Sequence, residues 1–325
     1  MPIKYRKGRR VKRDILSVLD MASDFSELID LAIKMKKERT SSKYKNALEG
    51  RTLGMIFEKP STRTRVSLEV AMQELGGHAM YLNLNDIHLG KGETVADTAR
   101  VVSRMLSAIA YRAYRHEDAL SFAKNASVPV INALDDIEHP TQALADYMTI
   151  KEKKGGFKGI KVSFIGDGNN VAHSLMLGAA LLGADFYIAS PQGYEPKQEI
   201  VEKAKNFAKS SGATINIVHS PEEAARGADV IYTDVWVSMG KEAERENREK
   251  AFAKYQVNAD LLSRAEPNKD YLFMHCLPAH RGKEVTDEII DSKNSVVFDQ
   301  AENRLHTAKA LLYTLLTKED DKKDI

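Results

Sequence analysis

The stretch Arg51-Thr52-Leu53-Gly54-Met55-Ile56-Phe57 runs through Glu58-Lys59-Pro60 into Ser61-Thr62-Arg63-Thr64-Arg65. Its first seven residues form a nearly unbroken apolar run of strand length, as expected where a strand is buried on both faces. Pro60 cannot donate to a ladder and stops it. Ser61 is a good helix N-cap, and the stripe Leu68, Ala71, Met72, Leu75 that follows has helical spacing and ends at Gly76-Gly77. A buried strand that feeds directly into a helix is half of a βα unit.

The rhythm extends both ways. Upstream, Phe25, Leu28, Ile29, Ala32, Ile33 and Met35 predict a helix from Asp24. Downstream, a helix through Val95, Thr98, Val101, Val102 and Met105 precedes strands near 108–111 and 128–132. Further strands are expected over 161–165, 185–189, 214–218, 230–233, 272–275 and 296–298, with helical patterns between most of them. This alternation predicts an α/β protein of two doubly wound domains, each with a mainly parallel sheet covered by helices on both faces. The charged, glycine-containing stretch 151–158 sets the expected boundary, giving domains 1–150 and 151–304, with a C-terminal helix within 305–325 returning to the first domain.

Composition narrows the class. A chain of 325 residues exceeds what one core usually serves, and 43% hydrophobic with 29% charged residues is ordinary for a globular protein. With 48 Lys+Arg against 46 Asp+Glu the formal charge is only +2, so neither nucleic acid nor a membrane is an expected partner. The basic start, Lys4, Arg6, Lys7, Arg9, Arg10, Lys12 and Arg13, reads as a solvated terminus that packs on a neighbour. Cys276 is the only cysteine, which excludes an internal disulfide. No run of 18 or more apolar residues occurs and no secretory signal is read. A cytoplasmic protein is expected.

Five stretches carry candidate chemistry. Ser61 to Arg65 places guanidinium forks, hydroxyls and free N–H groups at a helix start, a setting for a phosphate or similar oxyanion. His139-Pro140-Thr141-Gln142 offers imidazole and amide donors to a polarised carbonyl. His275-Cys276-Leu277-Pro278 ends an apolar strand; in a strand His275 should face away from Cys276, which argues against a Cys/His nucleophile pair. Asp234-Val235-Trp236-Val237-Ser238-Met239-Gly240 supplies a carboxylate suited to an amine. Gly166-Asp167-Gly168-Asn169-Asn170 begins like a dinucleotide fingerprint but lacks its third glycine, and Ile188-Ala189-Ser190 lacks the ribose-binding acid, so an amino-acid contact is expected instead.

Taken in this order, the five stretches resemble the aspartate/ornithine carbamoyltransferase family over essentially the whole chain. The stretches 61–65 and 139–142 match its carbamoyl-phosphate half; 234–240 and 275–278 match its ornithine branch. The resemblance implies transfer of the carbamoyl group of carbamoyl phosphate to the side-chain amine of L-ornithine, giving L-citrulline and phosphate, in arginine metabolism. It implies that Ser61, Thr62, Arg63 and Thr64 hold the phosphate and that Arg112 reaches phosphate and carbonyl. His139 and Gln142 complete the carbonyl site, with Cys276, the Leu277 backbone and Arg304 at the carbamoyl end. Asn170, Asp234, Ser238 and Met239 would bind ornithine, and the catalytic set would be Arg112, His139, Asp234 and Cys276. A homotrimer or a higher assembly of trimers is implied, with His88 lent to a neighbour's site; the ornithine enzymes usually carry Gln there. No cofactor or metal is implied. The alternatives are a transferase for putrescine or N-acetylornithine, or, from a different class, a nucleotide-binding dehydrogenase or binding module.

Overall fold

The computed structural model describes residues 12–89, 92–238 and 240–317. Its first half runs α1 (Phe25–Lys37), β1 (Thr52–Phe57), α2 (Thr62–Glu74), β2 (His78–Asn83), α3 (Val95–Val102), β3 (Ala108–Arg112), α4 (His116–Asn125), β4 (Val130–Leu134) and α5 (Pro140–Lys154). The second runs β5 (Lys161–Ile165), α6 (Asn170–Leu182), β6 (Asp185–Ala189), α7 (Gln198–Ser211), β7 (Ile215–Val218), α8 (Pro221–Ala225), β8 (Val230–Thr233), α9 (Arg245–Phe252), α10 (Ala259–Ala265), β9 (Leu272–His275), α11 (Asp287–Ile290) and α12 (Val297–Leu316).

Two parallel sheets result, ordered β2-β1-β3-β4 and β7-β6-β5-β8-β9. Each order reverses direction once, between β1 and β3 in the first sheet and between β5 and β8 in the second. Crevices open at the carboxyl ends of strands at such reversals. The loop holding Ser61 follows β1 and Arg112 ends β3; Asn170 follows β5 and Asp234 follows β8. Both switch points therefore carry the stretches singled out in the sequence.

The two halves are fastened by helices. α5 packs on α6, and α12 packs on α1, α2 and α5. Tyr147 of α5 meets Phe25 and Phe157 edge-on, at centroid distances of 6.1 and 5.9 Å, and its hydroxyl donates to the Leu175 carbonyl at 2.6 Å. One apolar cluster accordingly runs from Leu53 and Met55 through Leu144 to Phe164 and Met274.

Two regions differ from what the sequence predicts, and the reading of the basic start falls largely outside the described residues. β2 is an unforeseen edge strand: it carries the short apolar run Ala79-Met80-Tyr81-Leu82, yet none of its residues is buried. Residues 296–298 do not form a strand. Pairing with Phe273 ends at Val296, and Val297 opens a helix of 20 residues whose inner face carries Arg304. At the start of the chain, Lys4 to Arg10 lie outside the described residues. Lys12 and Arg13 bond within the chain, Arg13 to Asp24 at 2.6 Å and Lys12 to Asp14 and the Ala123 carbonyl.

Candidate active site

Between the two switch points lies a cleft of about 470 Å³. It is lined by Ser61, Thr62, Arg63, Thr64, Arg112, His139, Gln142, Asn170, Asp234, Ser238, Cys276, Leu277 and Arg304, which the sequence assigned to the site, and by Lys59 and Leu134, among others, which it did not. His88 is exposed and lies outside this lining. Met239 falls outside the described residues. Arg65 turns away, its guanidinium stacked 4.1 Å from the centre of the Tyr81 ring.

At one end the local structure concentrates positive charge. Ser61 caps α2 by accepting the Thr64 N–H at 3.3 Å, which leaves the first turn pointed into the cleft. Arg112, at the bulged end of β3, is buried, and its Nε has no hydrogen-bond partner among the described residues. Arg304 donates to Gln142 Oε1 at 2.5 Å and to Thr64 Oγ1 at 3.1 Å. Burial, then mutual repulsion, holds the guanidinium of Arg112 down to about 10; burial brings Arg304 to about 10 as well, partly offset by Asp146 and reinforced by Arg63. Lys59, missed in the sequence, is lowered by burial and then by Arg112. Both arginines remain cations at neutral pH. A buried cationic group without a counter-charge is costly, so this end is built for an anion.

His139 opens α5, where its backbone N–H donates to Ser174 Oγ at 2.8 Å. Thr141 Oγ1 stands 3.4 Å from Nδ1, and Nε2 has no protein partner among the described residues. Burial, then Arg304, Arg112 and Arg63, pushes the imidazole well below its ordinary range. The ring is a neutral donor, not a proton source.

The other end carries a held carboxylate. Asp234 Oδ1 accepts from Cys276 Sγ at 3.1 Å and from the Val235 N–H at 2.8 Å, while Oδ2 accepts from Asn169 Nδ2 at 2.8 Å. Crowding by protein atoms and the Asp234 charge raise the Cys276 thiol well above its ordinary value, so it stays protonated. His275 is engaged elsewhere: its Nδ1 accepts the Leu277 N–H at 2.8 Å and its Nε2 meets Glu284 at 3.2 Å. Although Asp234, His275 and Cys276 bring ligand atoms within 4.8 Å of one another, both ring nitrogens of His275 are already engaged, Nδ1 by the Leu277 N–H and Nε2 by Glu284. The Leu277 carbonyl accepts from Arg63 Nη2 at 2.5 Å, which joins the two ends of the cleft.

In the glycine-rich turn after β5, a Cβ on Gly168 would stand 2.2 Å from the Pro196 nitrogen, so this glycine is required by the chain that packs against it. Asn169 caps α6, accepting from Val171 N at 3.0 Å and Ala172 N at 3.1 Å. Asp167 is paired with buried Arg248 at 2.8 Å. Two of the three non-glycine residues with positive φ among those described, Leu134 at 132° and Leu277 at 58°, are in the cleft wall. Strained backbone of this kind concentrates at functional sites.

A transferase cleft between two doubly wound sheets is also what known proteins indicate. The carbamoyl-P binding domain of the aspartate/ornithine carbamoyltransferase family matches residues 13–152, and that family's Asp/Orn binding domain matches residues 158–315. The chain belongs to the aspartate/ornithine carbamoyltransferase family. It is 62% identical over 306 residues to the catabolic ornithine carbamoyltransferase of Thermoplasma acidophilum, covering 94% of this chain and 99% of that protein. It is 58% identical over 301 residues to the anabolic ornithine carbamoyltransferase of Pyrococcus furiosus, covering 92% and 95%. The solved ornithine carbamoyltransferase structure from Pyrococcus furiosus superposes with a TM-score of 0.90 at 56% identity, over 94% of this chain and 97% of that one.

Proposed function

We propose that this chain transfers the carbamoyl group of carbamoyl phosphate to the side-chain amine of L-ornithine, releasing L-citrulline and phosphate. The observation that carries the reading is the cleft's polarity: Arg63, Arg112 and Arg304 converge at one end and Asp234 with Cys276 stands at the other. The residues up to about 150 would form the donor domain and 151–304 the acceptor domain.

In this account Ser61 to Thr64 and Arg112 hold the phosphate, and Arg112, His139 and Thr64 stabilise the oxygen that gains charge as the amine attacks. Each well-aimed donor contributes on the order of 3 kcal/mol to such a step. Gln142 and Arg304 orient the carbamoyl group. The amine must attack uncharged, although an alkylammonium releases its proton only near pH 10. Asp234 and Cys276 orient it, and the departing phosphate takes the final proton. Asn170 donates to the Asp135 carbonyl at 2.5 Å, which leaves its Oδ1 for an α-amino group beside Ser238. Cys276, a protonated thiol on a carboxylate, positions the acceptor and forms no covalent intermediate.

A homotrimer, or a higher assembly of trimers, fits the exposure of Val66, Met80, Val101 and Met105 in the donor half, each at least 50% exposed. His88, exposed beyond β2, would then reach a neighbour's cleft. Among the described residues no helix is long and apolar enough to cross a membrane. A cytoplasmic setting fits the single cysteine. The reading is tested by incubating the protein with carbamoyl phosphate and ornithine: citrulline should form in step with phosphate, and absence of both would refute it.

A further inference from the structure

Asp146 lies fully buried on α5, one turn beyond Gln142. Its Oδ1 accepts from Gln142 Nε2 at 2.8 Å and from Gln300 Nε2 at 2.7 Å, and its Oδ2 accepts from the Tyr232 hydroxyl at 3.3 Å. These partners come from α5, α12 and β8. The hydrogen bonds continue in both directions. Gln142 Oε1 accepts from Arg304, whose other arm donates to Thr64 at 3.1 Å. Gln300 Oε1 accepts the His275 N–H at 3.0 Å, one residue before Cys276. A buried line of hydrogen bonds therefore joins the start of α2 to the end of β9, and Asp146 stands at its middle.

The chemistry of that line fixes its direction. An amide presents an acceptor on one side and donors on the other. Gln142 stands between a carboxylate and a guanidinium, so only one orientation satisfies both: NH₂ on Asp146, oxygen on Arg304. Reversed, it would set oxygen against oxygen and N–H against N–H. Gln300 is constrained in the same way, with its NH₂ on Asp146 and its oxygen on the His275 N–H. A buried carboxylate is tolerated only with such donors around it.

We propose that Asp146 is a positioning residue that sets the orientation of Gln142 and Arg304 toward the donor and, through Gln300, steadies the strand end that carries Cys276. This rests on the carbamoyl-phosphate reading above. Asp146 touches neither substrate; it acts by deciding which hydrogen-bonding face Gln142 turns to the cleft.

The test is a double-mutant cycle on carbamoyl-phosphate affinity, read by calorimetry, with thermal denaturation to confirm folding. Asp146→Ala should raise the dissociation constant at least about tenfold, roughly the worth of one hydrogen bond to a charged group. In a Gln142→Ala background the same change should add less than about twofold, because the residue it orients is gone. Asp146→Asn keeps an acceptor oxygen for both amides and should stay within about threefold of the parent. Asp146→Ser, too short to reach both amides, replaces Asp146→Ala under the same thresholds if that variant does not fold. Parental affinity in Asp146→Ala, an undiminished effect without Gln142, or an Asn variant as weak as the Ala one would overturn the inference and leave the function intact. A parent protein that binds no carbamoyl phosphate would overturn both.

Discussion

The two ends of the cleft are built differently. The donor end is assembled from rigid pieces: the capped start of α2, the end of β3, the first turn of α5 and the inner face of α12, with Thr64, Arg112, His139, Gln142 and Arg304 all buried. The acceptor end has Asp234 and Cys276 at strand termini, but Ser238 lies on the loop between β8 and α9. That loop is held by Trp236, which stacks on Phe252, and by Arg248, which donates to the Trp236 carbonyl at 3.1 Å and to Asp167 at 2.8 Å. Recognition of a phosphate, the same in every turnover, suits a preorganised cage. Selection among amines suits a loop, whose changes leave the cage intact.

Substitutions can break this contrast, and their expected effects fall in a definite order. His139→Ala removes a buried donor from the charge-gaining oxygen, so kcat should drop on the order of 10² to 10³-fold in steady-state assays. Because burial and three arginines lower the imidazole's pKa, the ring of the parent protein should stay neutral from pH 6 to 8, with no titration in its NMR shifts. Arg63→Leu should weaken carbamoyl phosphate by roughly 100-fold, about 2.7 kcal/mol, in calorimetry. Unchanged donor affinity would remove this arginine from the phosphate cage. Cys276→Ala should raise the ornithine KM about tenfold while donor affinity stays within about twofold. The same thiol, held protonated by its surroundings, should resist iodoacetamide at pH 7 in the folded protein. Arg248→Lys, which loses the planar fork but keeps the charge, should raise the ornithine KM by roughly three- to fivefold and spare the donor. An equal loss on both substrates would mean that the loop also serves the donor end.

Much of the fold could be read because its signals are local. The run from Arg51 to Ser61 announces strand, stop and helix within a dozen residues, and β5, β6, β8 and β9 lie where the apolar runs ended at turn residues. The edge strand β2 escaped because its apolar run, Ala79-Met80-Tyr81-Leu82, is only four residues long and lies at the half-exposed edge of the sheet. Val296-Val297-Phe298 misled because β-branched and aromatic residues favour strands, whereas the pairing of Ser295 and Val296 beside Phe273 was already complete and the chain turned into α12. Individual cleft residues were legible as motifs. Their partnerships were not: the Arg304–Gln142 bond spans 162 residues, and nothing local announces it. Lys59 could have been suspected beside Pro60, and Asp146 as a carboxylate inside the apolar stretch Ala143, Leu144, Ala145, Tyr147, Met148. Leu134 became visible only through its backbone.

The central claim is a phosphate cage coupled to an ornithine pocket. Its most direct test is phosphate release from carbamoyl phosphate with ornithine, putrescine, N-acetylornithine and aspartate offered separately, each with its carbamoylated product quantified. Rapid release is expected with ornithine alone, matched mole for mole by citrulline. Release that is equal or faster with putrescine or aspartate, or no release with ornithine, would contradict it.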